Sequence, residues 1–330
     1  MDKRFREMNP PSLPTTAIVL AGGLGTRLRS VVQDLPKPMA PVAGQPFLSY
    51  VLDYLAQQGI RKVILSIGYK GTIIQDYYGD RFREMQLQYA VETVPLGTGG
   101  AIQLALQQCS ETSCYVVNGD TLFEADLSAM AAAHNDASAD LSMALKQMQD
   151  FDRYGLVELD EAGQVQAFRE KQYCAAGLIN AGVYLINRSI FEVAEFPGKF
   201  SFEKDLLEAQ LSNLKFIGCP LEGYFIDIGI PTDFAKAQKD FQQRAAGFPA
   251  SLAKFCNTLF LDRDGVINRR IPDAYVNSWD DFEFLPGVLQ AIAQFSESFQ
   301  RIVVVTNQQG VGKGYMSSDD VEQIHNSMLA

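Results

Sequence analysis

The chain has 330 residues, 47% hydrophobic and 20% charged, which provides apolar surface for real cores and excludes a disordered chain. That length exceeds what one core usually organises, so two domains are expected. Acidic residues outnumber basic ones 39 to 28, a formal charge of −11, so the chain is a poor nonspecific partner for nucleic acid or an anionic membrane.

Residues 1–14 are polar and end in Pro10, Pro11 and Pro14, which reads as a flexible lead without an apolar signal core. No apolar run approaches the roughly 20 residues of a membrane span. The cysteines (109, 114, 174, 219 and 256) are scattered without a Cys-x-x-Cys pair, so neither a disulfide framework nor a zinc site is expected. A cytoplasmic protein with buried thiols fits this usage.

Thr16 to Leu20 is a β-branched run suited to a strand buried on both faces. Phe47, Leu48, Val51, Leu52 and Leu55 recur at helical spacing, and the pattern stops at Gly59. Strands are predicted at 62–67, 87–91 and 115–117, with a helix over 101–106. This βαβαβ rhythm argues for a parallel sheet with helices on both faces. Strand-like runs at 141–145, 155–159, 164–168 and 181–186 then follow with few helices between, as in an antiparallel insertion or mixed sheet edge. A helix is predicted over 232–244. A second strand ending in an acid, Thr258 to Asp262, and another at 301–305 begin a second α/β unit. The expected division is a lead at 1–14, a first domain at 15–245, a linker at 246–257 and a partial second domain at 258–330.

The segment Leu20-Ala21-Gly22-Gly23-Leu24-Gly25-Thr26-Arg27-Leu28 sets three glycines between a strand and a helix. Such a turn lets backbone N–H groups approach a polyphosphate. The dinucleotide fingerprint fails at Leu28 and for want of an acid closing the second strand, and Walker A fails at Arg27-Leu28. Lys37 lies between Pro36 and Pro38, on a segment predicted to be stiff and extended. Asp120 ends a strand in Asn118-Gly119-Asp120, where a turn-capping role is the alternative. His134 and His325 fall in no motif and read as surface or helix residues.

The string GGLGTRL…LPKPM resembles the signature of sugar-1-phosphate nucleotidylyltransferases, which join a nucleoside triphosphate to a sugar 1-phosphate and release pyrophosphate. The likeness runs from about 15 to 245 and implies a Rossmann-like α/β fold with a mixed, mainly parallel sheet. It implies that Leu20, Ala21, Gly22, Gly23, Gly25 and Thr26 bind the nucleotide. In the loop Glu92 to Gly100, Glu92, Pro95, Gly97 and Thr98 resemble nucleobase contacts. Arg27 and Lys37 would hold the triphosphate and the leaving pyrophosphate. Asn118, Gly119, Gly155, Glu170, Lys171 and Asn180 would hold the sugar phosphate, with Lys171 also catalytic. Asp120 and Asp227 would bind Mg²⁺, hard oxygen ligands for a hard cation. The attacking phosphate oxygen is already ionised, so no side-chain base is required; charge neutralisation and alignment are.

Guanine offers N1–H and N2–H₂ side by side, which a carboxylate at Glu92 can accept, so GTP is favoured. Phe200 to Asp205 and Tyr224 to Pro231 are most similar to D-glycero-α-D-manno-heptose 1-phosphate guanylyltransferases. That implies a GDP-heptose product for bacterial surface glycans. Mannose 1-phosphate, a uridine nucleotide, or a noncatalytic sugar-nucleotide-binding regulator are the alternatives. The oligomeric state is open, a homodimer being one option.

Phe260-Leu-Asp262-Arg-Asp264-Gly-Val266 resembles the first motif of haloacid-dehalogenase-like phosphatases, with a likeness to D,D-heptose 1,7-bisphosphate 7-phosphatases. By that likeness Asp262 is the nucleophile, Asp264 the general acid/base, and both hold Mg²⁺. Thr306 and Asn307, after Val303-Val-Val, would bind the phosphoryl group. The family's later lysine and acidic motifs are not found by residue 330, so weak or no phosphatase activity is expected.

Overall fold

The structure is a computed structural model; it describes residues 13–23, 28, 35–246, 258–271, 275–299, 301–306 and 309–329. The chain divides into two compact units, 1–239 and 240–330. The expected lead apart from Leu13 and Pro14, and the expected linker apart from Ala246, lie outside the described residues.

The first unit is built on a ten-stranded sheet. Its centre is β1 (Thr16–Leu20), whose first four residues are buried. A short hairpin, β2 (Pro41–Val42) and β3 (Gln45–Pro46), leads into α1 (Phe47–Gln57). β4 (Lys62–Ile67) lies parallel to β1 with Ile64 opposite Ile18. After α2 (Gly71–Tyr78) come β5 (Arg81–Phe82) and β6 (Met85–Val91), the latter parallel to β4. α3 (Gly97–Leu106) precedes β7 (Ser113–Asn118), which flanks β1 on its other side with Val116 opposite Ile18.

Each crossover between these parallel strands is helical, and the hydrophobic stripe of α1 (Phe47, Leu48, Val51, Leu52, Leu55) is fully buried. β8 (Thr121–Phe123) and α4 (Leu127–Asp136) follow, the helix capped by Asp126, whose carboxylate accepts from the Ser128 and Ala129 N–H groups.

The predicted change of rhythm is an antiparallel extension. β9 (Leu141–Phe151), β10 (Leu156–Leu159) and β11 (Val165–Arg169) surround the long β12 (Cys174–Asn187), which pairs with β7, β9 and β10. β13 (Phe216–Pro220) adds to β9 in parallel, and β14 (Phe225–Asp227) pairs with β8 before α5 (Pro231–Ala246). Phe191, Phe196, Phe200 and Phe202 stack or meet edge to face beside this extension.

In the second unit β15 (Thr258–Asp262) and β16 (Arg301–Val305) are parallel with Asp262 opposite Val305. They are accompanied by α6 (Val288–Ser298) and α7 (Ser318–Leu329). Val276, Met316 and Ile324 form the buried centre of its apolar cluster. Among the described residues no helix is long and apolar enough to cross a membrane.

Candidate active site

The site lies beyond the C-terminal ends of the central strands, where open α/β sheets place their ligands. β7 ends at Asn118, and the Gly119 N–H donates to the Leu20 carbonyl at 2.9 Å, binding the end of β7 to the end of β1. Asp120 follows at once. β14 pairs with β8 so that Thr121 faces Asp227, and the Ile228 N–H donates to the Asp120 carbonyl at 3.1 Å. Two aspartates distant in sequence thereby share one place.

Lys37 joins them. Its Nζ donates to Asp120 Oδ2 at 2.5 Å and to Asp227 Oδ1 at 3.5 Å. The segment around it is not extended as predicted: Pro36 is extended, but Lys37–Met39 form one 3₁₀ turn. Pro38 has the fixed φ of a first helical turn, and burial of Pro38 and Met39 anchors the turn. Burial pushes the Asp227 carboxyl above the usual range; Lys37 pulls it back, and neighbouring Asp120 raises it further. Asp227 also accepts the Gly229 N–H at 2.7 Å, so it caps its own strand end while belonging to the cluster.

A cavity of about 360 Å³ opens from this cluster along β1 and α3. Leu20, Gly22, Gly23, Lys37, Glu92, Pro95, Gly97, Thr98, Asn118 and Asp120 line it. Glu92 follows β6, and its Oε2 accepts the Leu96 N–H at 2.9 Å, closing the loop on itself. A Cβ on Gly22 would stand 2.6 Å from Glu92 Oε1 and 3.3 Å from the Gly68 backbone N, so a side chain there would displace the Glu92 carboxylate. Gly97 begins α3, four residues before the predicted start, with φ +72°, and an added Cβ would stand 2.4 Å from the Phe200 carbonyl oxygen.

A second cavity, about 470 Å³, adjoins the first and is lined by Asn118, Lys171, Asn180 and Asp227 among others. The β9–β12 register shifts between Asn180 and Tyr184, a bulge that re-aims side chains beside a site. Asn180 Oδ1 accepts the Gly182 N–H at 3.1 Å, and its Nδ2 donates to the Tyr184 hydroxyl at 2.7 Å. Burial, with Glu203 nearby, pushes that hydroxyl far up.

Arg153, Tyr154 and Glu203 also line this cavity; Tyr154 belongs to the Tyr154-Gly155 pair that resembles a sugar-contacting turn, whereas Arg153 and Glu203 were not singled out from the sequence as contacts. Arg153 donates to Asp233 at 2.6 Å, tying the β9–β10 loop to the start of α5. Burial and nearby Asp227 push the Tyr154 hydroxyl up to about 12.

The remaining predicted residues fall elsewhere. Ala21, Gly119, Gly155 and Glu170 do not line either cavity; Glu170 is exposed beyond β11, and Gly155 precedes β10, whose Leu156 faces Arg169. Gly25, Thr26, Arg27 and Asn307 lie outside the described residues. In the second unit, Asp262 is exposed at the end of β15. Asp264 accepts from Arg263 at 3.0 Å, from Thr306 Oγ1 at 3.1 Å and from Asn268 at 3.2 Å. Lys313 donates to the Tyr275 hydroxyl at 2.9 Å. His134 is helical but buried, against Ser142 Oγ at 2.9 Å and Asn187 Oδ1 at 3.3 Å.

Magnesium suits the first cluster by its donors. Among the described residues no group of three or more His, Cys, Asp or Glu could hold a metal. Two carboxylates already balanced by one ammonium match an ion that takes one or two carboxylates and completes its shell with phosphate and water.

Residues 16–244 match the nucleotidyl transferase family. The chain is 51% identical over 226 residues to a D-glycero-α-D-manno-heptose 1-phosphate guanylyltransferase of Aneurinibacillus thermoaerophilus, across 68% of this chain and 98% of that one. It is 46% identical over 218 residues to the enzyme of the same name from Campylobacter jejuni, across 66% of this chain and 96% of that one. The structure of HddC from Yersinia pseudotuberculosis complexed with GMP-PN superposes with a TM-score of 0.62 at 38% identity, covering 69% of this chain and 99% of that one. The chain belongs to the nucleotidyl transferase family.

Proposed function

We propose that the first unit transfers GMP from GTP to D-glycero-α-D-manno-heptose 1-phosphate, releasing pyrophosphate, in the cytoplasm and for surface glycan synthesis. The observation that carries this is the convergence of Lys37, Asp120 and Asp227 where two adjoining cavities meet. Identities of 51% and 46% to named heptose 1-phosphate guanylyltransferases support the substrates.

The reaction is an in-line attack by a sugar-phosphate oxygen on the α-phosphorus. The O–P bond to the β-phosphate breaks, and pyrophosphate leaves with the electron pair. Lys171, in the second cavity, holds the attacking phosphate. Lys37 neutralises triphosphate oxygens beside the carboxylates, with Arg27 following the glycine turn. Asp120 and Asp227 would hold Mg²⁺, which when bound would supply positive charge for the phosphate oxygens. Glu92 faces guanine, because each of its oxygens has two lone pairs and the Leu96 N–H uses one. Gly22 and Gly23 leave the backbone open to the nucleotide.

The second unit carries the beginnings of a phosphatase-type site in Asp262, Asp264 and Thr306. Asp264 is bound by Arg263, Asn268 and Thr306, which occupies both of its oxygens and leaves it poorly placed as a general acid.

The test is a pyrophosphate-release screen of four nucleoside triphosphates against heptose, mannose and glucose 1-phosphates. GTP with the heptose should be fastest, and faster turnover of another pair overturns the assignment. Orthophosphate release from heptose 1,7-bisphosphate should stay at background; appreciable release lost in Asp262→Asn would overturn the account of the second unit.

A further inference from the structure

Asn118 and Glu203 line both cavities, so both stand at the seam where the two substrates would meet. Asn118 can donate to a phosphate oxygen. Glu203 cannot: a carboxylate only accepts, and its charge repels the phosphates that converge there. Its complement on a substrate must be a neutral donor. Apart from the base, the donors of a nucleotide and a sugar phosphate are hydroxyls, and O–H to carboxylate bonds are among the stronger hydrogen bonds.

The carboxylate is held in place. Oε2 accepts from Thr98 Oγ1 at 3.0 Å and from Ser201 Oγ at 3.2 Å, while no described residue donates to Oε1. Thr98 Oγ1 in turn accepts the Phe202 N–H at 2.8 Å, and the Gly99 N–H donates to the Phe200 carbonyl at 3.1 Å. Residues 200–203 are thus fastened to the first turn of α3, which also shapes the nucleotide cavity. One oxygen anchors the side chain and the other is left for a ligand, a preorganised acceptor rather than a swinging one.

We infer that Glu203 accepts a substrate hydroxyl, of the ribose or of the sugar ring, at the seam between the two cavities, and so sets one substrate against the other for in-line attack. This rests on the nucleotidyl-transfer reading of the site.

The test uses the full chain and whichever nucleotide and sugar 1-phosphate the wild type turns over fastest, so a wrong base or sugar would sink the substrate assignment and leave this inference to be judged separately. Glu203→Gln keeps the size of the side chain. The expected result is a rise of about tenfold in KM for one substrate, with the other within about twofold and the melting temperature unchanged. A deoxy analogue lacking the accepted hydroxyl should be poor with wild type and no poorer with Glu203→Gln. The effect vanishing with 2′- or 3′-deoxynucleotide assigns the ribose; vanishing with a ring-deoxy sugar phosphate, it assigns the sugar. Both KM values within about twofold would overturn the inference. So would losses that add fully to those of every deoxy analogue, or a joint rise in both KM values with a lowered melting temperature, the mark of a scaffold role.

Discussion

At the scale of single residues, the site is a balance of charge in a net-acidic chain. Lys37 is the counterion of Asp120 and Asp227, and the three occupy a place that a triphosphate must share. Elsewhere a titrating side chain is spent on stability. His134 is buried, its imidazole pushed below the ordinary 6.5 by burial, against smaller opposing effects of Asn187 and Asp140. The unfolded chain therefore binds a proton more readily than the folded one. Its contribution is complete above about pH 6.5 and is lost as pH falls toward the lower folded value. Denaturant midpoints should drop between about pH 7.5 and about pH 5, and less so in His134→Gln; an equal drop in both would contradict the assignment.

Among the site residues, those inside short motifs were legible. Asn118, Asp120 and Asp227 lie at strand ends within two residues of a glycine, Glu92 directly follows β6, and each of the four lines one or other of the two adjoining cavities. Glu203 and Arg153 were not, because what brings them to the site is a tertiary contact: 200–203 folding onto α3, and Arg153 reaching Asp233. No local pattern around either residue encodes that contact. Glu170, the acid before Lys171, is exposed and lines neither cavity, while Lys171 lines the second.

At the scale of elements, β-branched runs and the i, i+3, i+4 stripe of α1 gave the buried strands and helix, since burial on both faces or on one stripe leaves a periodic trace. The start of α3 did not show, because Gly97-Thr98-Gly99-Gly100 has poor helix propensity and is held helical by packing on Phe200. β12 likewise runs from 174, well before the predicted 181, its first half being held by pairing with β9 rather than by apolar alternation. The α3 junction makes a specific demand on Gly97. Gly97→Ala must place a Cβ at φ +72° and 2.4 Å from the Phe200 carbonyl oxygen. A loss of about 2 kcal/mol in unfolding free energy is expected, with a raised KM for the nucleotide. Wild-type stability and KM in this variant would show that the junction is not a constraint.

At the scale of the whole chain, the family match ends at residue 244 and the second compact unit begins at 240. The first unit has a large buried core on a ten-stranded sheet, while among the described residues the apolar cluster of the second unit has Val276, Met316 and Ile324 as its buried members. The chemistry assigned to the chain therefore depends on the first unit. Its most direct test is pyrophosphate release from GTP and heptose 1-phosphate by the wild type, Asp120→Ala and Asp227→Ala. Each substitution should lower turnover by at least about a hundredfold with the melting transition retained, because each removes half of the carboxylate pair. Turnover close to wild type in either folded variant would contradict the shared carboxylate site on which the mechanism stands.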